Sequence, residues 1–183
     1  RQITASAGKV VFCGEDFSDL PVFERISNGI GYTFQITSIF VNLTVYENVA
    51  LAIRKDNSNG EENSVSEVLS KVGLLDRIEQ RSGDLSYGHQ RLLELAMGMA
   101  QKPKLLILDE PTQGLSDSEI ENFKKLIKDI SSSTTILLIE HNMDVVMSIA
   151  DNISVLHFGE IIADGDKETI QNDPIVQKAY LGD

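Results

Sequence analysis

Leu105-Leu106-Ile107-Leu108-Asp109-Glu110 is the stretch that decides the fold of this 183-residue chain. Four consecutive apolar residues are typical of a strand that is buried on both faces of a parallel sheet. Two acids follow at the carboxyl end of that strand, which is where open α/β sheets bind their ligands. Such carboxylates can hold Mg²⁺ and orient water, although taken alone they are explained equally well as two solvated acids.

A second strand of the same kind is predicted at Thr135–Ile139, and it is followed by Glu140-His141. Between the two strands, Ser116 and Glu119 form a capping-box pattern ahead of apolar residues at helical spacing that reach Ile130. The order strand, helix, strand predicts a βαβ unit. Its parallel strands would bring the two acidic ends together, although an ordinary loop histidine is the simpler explanation of the imidazole taken alone.

Upstream of both strands lies Leu85-Ser86-Tyr87-Gly88-His89-Gln90-Arg91. A serine and a glycine at the start of a helix can bind phosphate, because the first N–H groups are free and glycine allows the backbone to come close. Ser86 is also a good helix N-cap, and that local role is compatible with phosphate binding.

Other patterns predict shorter elements. Thr44 with Glu47, and Ser64 with Glu67, are capping-box pairs that predict two more helix starts. The polar stretch 55–63 predicts a mobile surface loop. Two further strands are predicted at 10–13 and 30–34, with a helix at 20–27 between them. A hairpin is predicted at 152–163 and terminal helical turns at 167–180.

The composition excludes several classes of function. A formal net charge of −12 leaves no basic surface for nucleic acid or anionic lipid, so we expect neither as a direct partner. No apolar run approaches the roughly 20 residues that cross a bilayer. The single cysteine, Cys13, lies in an apolar run, so we expect a buried strand residue in a reducing cytosol.

The order of these elements resembles that of the ATP-binding-cassette (ABC) ATPases, and the resemblance covers essentially the whole chain. The family's Q-loop glutamine, signature, Walker B motif, D-loop and switch histidine are matched by Gln35, Leu85 to Gln90, Leu105 to Glu110, Gly114-Leu115-Ser116-Asp117 and His141. The resemblance implies an α/β, P-loop NTPase-like fold with a mostly parallel sheet. It also implies one domain over 1–183, with a nucleotide-binding core at 1–35 and 100–183 and an inserted helical subdomain at 36–99.

The resemblance implies ATP and Mg²⁺ as cofactors and a role for each residue at the strand ends. Asp109 would hold Mg²⁺ through water, and Glu110 would orient the attacking water or accept its proton. His141 would contact the γ-phosphate. Gln35 would reach the Mg²⁺ and the water from a flexible joint.

The same resemblance implies partners. Ser86, Gly88 and Gln90 would contact ATP that is bound to a second ABC ATPase subunit in a head-to-tail dimer, and Asp117 would lie at the dimer seam. Transmembrane permease subunits would hold the protein on the cytoplasmic face of the membrane. Residues 38–48 lie where coupling helices dock in the family, although their apolar members could equally belong to the subdomain core.

Two departures from the common signature indicate a subgroup. Tyr87 stands where glycine is usual, and His89 stands where glutamine is usual. The tyrosine resembles a variant associated with branched-chain amino acid and urea importers and with the lipopolysaccharide-export cassette. The segment Thr33-Phe34-Gln35 and the ending 174–183 also resemble the importer group. We therefore expect an ATPase that powers import of branched-chain amino acids or a similar small polar solute.

One family element is not in the sequence. The phosphate loop Gly-x-x-x-x-Gly-Lys-[Ser/Thr] has its nearest match at Gly8-Lys9, where Ile3 and Val10 replace the first glycine and the hydroxyl residue. We predict a turn there, a truncated N-terminal part of the fold, and little ATP binding by residues 1–183 alone. Two alternatives remain: a noncatalytic regulatory cassette and a soluble cassette outside transport. Retention of Glu110 and His141 argues against the first, and the short 55–63 loop against the second.

Overall fold

The chain begins with a small β-hairpin. The computed structural model describes residues 5–33, 38–53 and 61–181. Strands β1 (Val11–Phe12) and β2 (Glu15–Asp16) pair antiparallel through a turn in which Cys13 and Gly14 have φ angles of 52° and 86°. Positive φ at both positions is typical of a two-residue hairpin turn. The prediction that Cys13 is buried in a strand is therefore wrong: its side chain is exposed because the residue lies in the turn.

A parallel sheet of three strands lies at the centre of the described fold. Helix α1 (Val22–Ser27) leads into β3 (Ile30–Thr33), which pairs with β4 (Leu105–Asp109), which in turn pairs with β5 (Thr135–Ile139). Leu106 and Leu108 of the central strand are almost fully buried, whereas Leu105 and Ile107 on its other face are only partly buried, so the predicted burial on both faces holds for one face. The βαβ prediction is confirmed because β4 and β5 are parallel neighbours.

Three helices build the larger apolar cluster. They are α2 (Val45–Ala52), α3 (Glu61–Lys71) and α4 (Tyr87–Ala100). Thr44 and Glu47 form the predicted capping box at the start of α2. The start predicted at Ser64 is wrong, because α3 already begins at Glu61 and Ser64 lies inside it, as the strong helix propensity of the preceding glutamates allows. The predicted loop 55–63 is thus helical at its end, and residues 55–60 lie outside the described residues.

The second apolar cluster lies between the sheet and α5 (Asp117–Ser131). Ser116 caps α5 with Glu119, as predicted. The side chains of Met99 and Leu126 pack against both clusters, so the helices and the sheet share one apolar seam. On the other face of the sheet, Leu137 and Ile139 of β5 are about half exposed, so the prediction that this strand is also buried on both faces is wrong.

The C-terminal part adds a hairpin and short helices. Helix α6 (Met143–Ile149) precedes β6 (Ile153–His157) and β7 (Glu160–Gly165), which form the predicted antiparallel hairpin. Two helices, α7 (Lys167–Asn172) and α8 (Pro174–Leu181), follow. Among the described residues, no helix is long and apolar enough to cross a bilayer.

Candidate functional site

The carboxyl ends of β4 and β5 lie side by side. Asp109 pairs with Ile139, and the Glu110 N–H donates a 2.9 Å hydrogen bond to the Ile139 carbonyl. Glu110 has a φ of 45°, in the left-handed region that an L-residue other than glycine rarely adopts. Strained backbone of this kind persists where surrounding contacts fix it, and it clusters at functional sites.

His141 and Glu110 meet at this edge of the sheet. The imidazole Nδ1 lies 3.5 Å from Glu110 Oε1, close enough for an ion pair when the imidazole is protonated. The imidazole is 69% exposed and the carboxylate 25% exposed, so solvent and a ligand can reach both groups. The two residues predicted to be catalytic are thus brought together from different strands.

Tyr32 is a site residue that sequence reasoning missed. Its hydroxyl donates a 2.9 Å hydrogen bond to Asp109 Oδ2. Tyr32 pairs with Ile107, and because side chains alternate along a strand, Asp109 lies on the same face two residues later. Partial desolvation of the Tyr32 side chain raises the pKa of Tyr32, as do, in decreasing order, its hydrogen bond to Asp109 and the charges of Asp109 and Glu94. The phenol therefore keeps its proton at neutral pH and remains a donor to the carboxylate.

Glu140 joins the two loops that leave β4 and β5. One carboxylate oxygen accepts hydrogen bonds from the N–H and the hydroxyl of the buried Thr112. The other accepts from the N–H groups of His141 and Asn142, at 3.0 and 3.2 Å. The sequence marked Glu140 only as an acid beside the histidine. The structure shows it fixing the loop that follows Glu110 against the loop that carries His141.

The predicted phosphate-binding residues lie on another element, the start of α4. Ser86 is the N-cap: its hydroxyl accepts from the His89 N–H at 3.3 Å and lies 2.9 Å from His89 Nδ1. The Gln90 amide donates to the Leu85 and Ser82 carbonyls, so it holds the preceding turn. The local N-cap role predicted for Ser86 is confirmed.

Gly88 and Asp117 lie where α4 approaches α5. Gly88 is buried, and the Glu119 carboxylate lies beside its α-carbon. Hydrogen bonds from the Ser116 N–H and hydroxyl, with nearby His89, hold the pKa of Glu119 below its usual range. Asp117 is the first residue of α5 and is exposed. Gln35, the other predicted ligand, lies outside the described residues.

Two buried polar side chains hold the segment that precedes α2. Asn48 is fully buried, and its amide makes four hydrogen bonds: two with the Phe40 backbone and one each with the Thr44 carbonyl and the Ser82 hydroxyl. The buried Glu94 pairs with Arg91 at 3.0 Å and accepts from the Ser38 N–H. Neither residue stood out in the sequence, because both lie within helical patterns.

The sequence of this chain is similar to that of a known protein family. A family model described as ABC transporter matches residues 1–113, which is more than half of the chain. The chain belongs to the ABC transporter family. A second model, described as branched-chain amino acid ATP-binding cassette transporter, matches residues 160–183 of the cassette.

Curated relatives of the cassette are ATP-binding proteins of transport systems. The branched-chain amino acid transport ATP-binding protein BraF of Pseudomonas aeruginosa is 36% identical over 197 residues, covering 97% of this chain and 77% of the relative. The lipopolysaccharide export ATP-binding protein LptB of Haemophilus influenzae is also 36% identical, over 96% of this chain and 75% of the relative. LivG of Escherichia coli is 33% identical over 97% of this chain.

Solved structures agree with the cassette fold. A crystal structure of the ATP-binding cassette MJ1267 of an ABC transporter superposes with a TM-score of 0.87 at 26% identity, covering 98% of this chain and 79% of that one. The same cassette in its ADP conformation gives a TM-score of 0.85 at 28% identity. The expected P-loop NTPase-like fold with a parallel sheet is therefore confirmed, as is membership of the nucleotide-binding ABC ATPases.

The donor set at the sheet edge suits Mg²⁺. The ion prefers oxygen ligands, keeps several waters, and is bound by one or two carboxylates together with substrate phosphates. Within the described ranges, no group of three or more His, Cys, Asp or Glu could form an all-protein metal cage. Asp109, at the end of β4 and oriented by Tyr32, fits the role of a single carboxylate ligand.

Proposed function

We propose that this cassette is the ATP-hydrolysing subunit of an ABC importer of branched-chain amino acids or a similar small polar solute. The 3.5 Å approach of His141 to Glu110 at the carboxyl edge of the sheet carries the proposal. It places an acid and an imidazole together where an α/β sheet binds its ligand.

Glu110 orients the attacking water or accepts its proton, because phosphoryl transfer depends on positioning and charge stabilisation. His141 contacts the γ-phosphate and fixes the geometry of that water. Asp109 holds Mg²⁺ through water, and the bound ion neutralises charge on the phosphates. Gln35 reaches the same ion and water, so that nucleotide occupancy moves the helical subdomain.

The start of α4 acts on the nucleotide of a second cassette. Ser86, Gly88 and Gln90 cap ATP bound to the opposite subunit of a head-to-tail dimer, because a helix N-terminus presents free N–H groups and a positive dipole end. Asp117, exposed at the start of α5, lies at the dimer seam. Closure of that dimer drives transport.

The cassette has two working parts. Residues 1–35 and 100–183 form the nucleotide-binding core, and residues 36–99 form a helical subdomain that contacts permease subunits. Phe40 is 54% exposed, while its neighbour Ile39 packs against the helical cluster, so Phe40 supports a docking role better than a core role. Attachment to the permease places the cassette peripherally on the cytoplasmic face of the membrane.

Import is favoured over lipopolysaccharide export by the C-terminal match. BraF and LptB are equally identical to this chain, but the model that matches residues 160–183 describes branched-chain amino acid transporters. The two functions are distinguished by uptake of labelled leucine in cells that depend on this cassette. Normal leucine uptake together with loss of lipopolysaccharide export on depletion would contradict the import assignment.

Residues 1–183 by themselves are proposed to bind Mg-ATP weakly. Their sequence contains no Gly-x-x-x-x-Gly-Lys-[Ser/Thr] motif, and the amides and lysine of that motif supply most contacts to the β- and γ-phosphates. Calorimetric titration of this segment should show no micromolar binding. Micromolar affinity for Mg-ATP would contradict this part of the proposal.

The hydrolytic role is tested by Glu110→Gln in the assembled transporter. The amide keeps the shape of the side chain but cannot accept the proton, so the ATPase rate should fall by roughly 100-fold or more while ATP binding persists. Glu160→Gln, at the exposed start of β7, is the matched control and should retain the wild-type rate. An unchanged rate in Glu110→Gln would exclude the assigned role.

A further inference from the structure

Two contacts join the start of α4 to the segment 114–119 of the same chain. A methyl group built on Gly88 would overlap the Glu119 carboxylate and lie 2.8 Å from its Cδ. A methyl group on Gly114 would lie 3.0 Å from Cε1 of the Tyr87 ring. Each glycine thus faces a large side chain from the other element, and a Cβ at either position would have to displace that side chain.

Glu119 is not free to move aside. One of its oxygens accepts from both the Ser116 N–H at 2.9 Å and the Ser116 hydroxyl at 2.7 Å, and these bonds form the capping box of α5. Moving the carboxylate away from Gly88 would break that cap.

The segment 111–116 between Glu110 and α5 is therefore held at both ends. Near the acids, Glu140 binds the N–H and hydroxyl of Thr112. At the far end, the Glu119 carboxylate, which binds Ser116, lies against Gly88, and the Tyr87 ring lies against Gly114. Any displacement at the start of α4 must accordingly shift Ser116 and Asp117 or break one of these contacts.

We propose that Glu119 is a positioning residue, which couples the start of α4 to the loop following Asp109 and Glu110, and that position 88 must be glycine in order to seat its carboxylate. This requirement arises within one chain. The requirement for glycine at position 88 is separate from the proposed contact of Gly88 with a phosphate on a second cassette. The effect of this requirement on activity rests on the function proposed above.

A double-mutant cycle in the assembled transporter tests the coupling. Gly88→Ala should lower the ATPase kcat about tenfold or more while the KM for ATP changes less than about twofold, because Glu119 is displaced. In the Glu119→Ala variant, which lacks the obstructing carboxylate, adding Gly88→Ala should lower kcat by less than about twofold. As a single change, Glu119→Gln keeps the shape of the side chain and an oxygen acceptor for Ser116. Its ATPase rate should therefore remain at least about a third of the wild-type rate.

Gly98→Ala is the matched control, since Gly98 lies in the same helix but faces Leu106 and Thr33. Gly98→Ala should change kcat by the same factor in the wild-type and Glu119→Ala backgrounds. If Gly88→Ala causes the same loss in both backgrounds, glycine is needed only for a contact outside the chain, and the proposal is overturned.

Thermal unfolding of the nucleotide-free protein separates this proposal from the proposed function. The Tm losses of Gly88→Ala and Glu119→Ala should be non-additive whether or not the wild type hydrolyses ATP. Additive Tm losses would show that the two residues do not interact and would overturn the proposal. Non-additive Tm losses with additive losses of kcat would overturn the positioning role.

Discussion

The Tyr32 hydroxyl donates a 2.9 Å hydrogen bond to Asp109 Oδ2, across the two strands that end at the candidate site. The bond fixes one oxygen of the carboxylate that we assign to Mg²⁺. Because it links a side chain of β3 to the end of β4, the geometry of the proposed ion site depends on strand register as well as on the acidic motif.

Tyr32→Phe removes this donor and leaves the ring in place. We expect affinity for divalent cation in the presence of ATP to fall by about three- to tenfold, since a hydrogen bond at this partly exposed position is worth about 1 kcal/mol. Mn²⁺ titration of the assembled transporter followed by electron paramagnetic resonance measures this directly. Tyr46→Phe, in the helical cluster, is the control, and equal affinities for the two variants would contradict the prediction.

Glu140→Gln should destabilise the fold. The wild-type carboxylate accepts from four donors, and the amide would turn an NH₂ group toward one pair of them. We expect a loss of about 1–3 kcal/mol in the free energy of unfolding, measured by urea titration. Glu79→Gln, at an exposed position, should change it by less than about 0.5 kcal/mol. Equal stabilities of the two variants would show that the Glu140 bonds contribute nothing.

Asn48→Ala should lower the free energy of unfolding by more than the same substitution at an exposed asparagine. It removes four hydrogen bonds, and the Phe40 N–H loses its acceptor, Asn48 Oδ1. The expected loss is about 2–4 kcal/mol by chemical denaturation. Asn172→Ala removes a single bond to the Glu168 carbonyl at the surface and should cost well under 1 kcal/mol. The prediction fails if the two losses are similar.

Glu119 should make the unfolding of the cassette sensitive to acid. Its pKa is lowered in the folded state by the Ser116 donors, so the bonds contribute fully above the unfolded pKa of about 4.3 and are lost as pH falls through the lower folded pKa. Glu119→Gln does not titrate. Its urea midpoint should therefore fall less steeply than that of the wild type from pH 5 downward, and parallel curves would rule out this contribution.

Phe40→Glu should separate transport from hydrolysis. Phe40 is exposed beside a segment held by Asn48 and Glu94, so a charge there should disrupt permease docking without unfolding the cassette. We expect solute uptake to fall at least about tenfold while ATPase activity stays within about twofold. Phe23→Glu, at an exposed position of α1, is the control, and normal uptake in Phe40→Glu would remove the docking role.

Much of the fold could be predicted because its signals are local. The starts of α2 and α5 follow from Thr44 with Glu47 and Ser116 with Glu119, pairs three residues apart that bond within one turn. Where a local signal was ambiguous, prediction failed: the Ser64 pattern lies inside α3, and Cys13 continues an apolar run but occupies a turn.

The sequence by itself determined the buried strand 105–109, the acids after it, the signature helix and the family, because runs of residue types and motif order are carried by neighbouring positions. Only the tertiary structure decided which side chains meet. Tyr32 and Asp109 are 77 positions apart, and Thr112 and Glu140 are 28 apart. Such contacts depend on strand register and on helix packing, which bring distant segments to within a few ångströms and leave no periodic mark in the sequence.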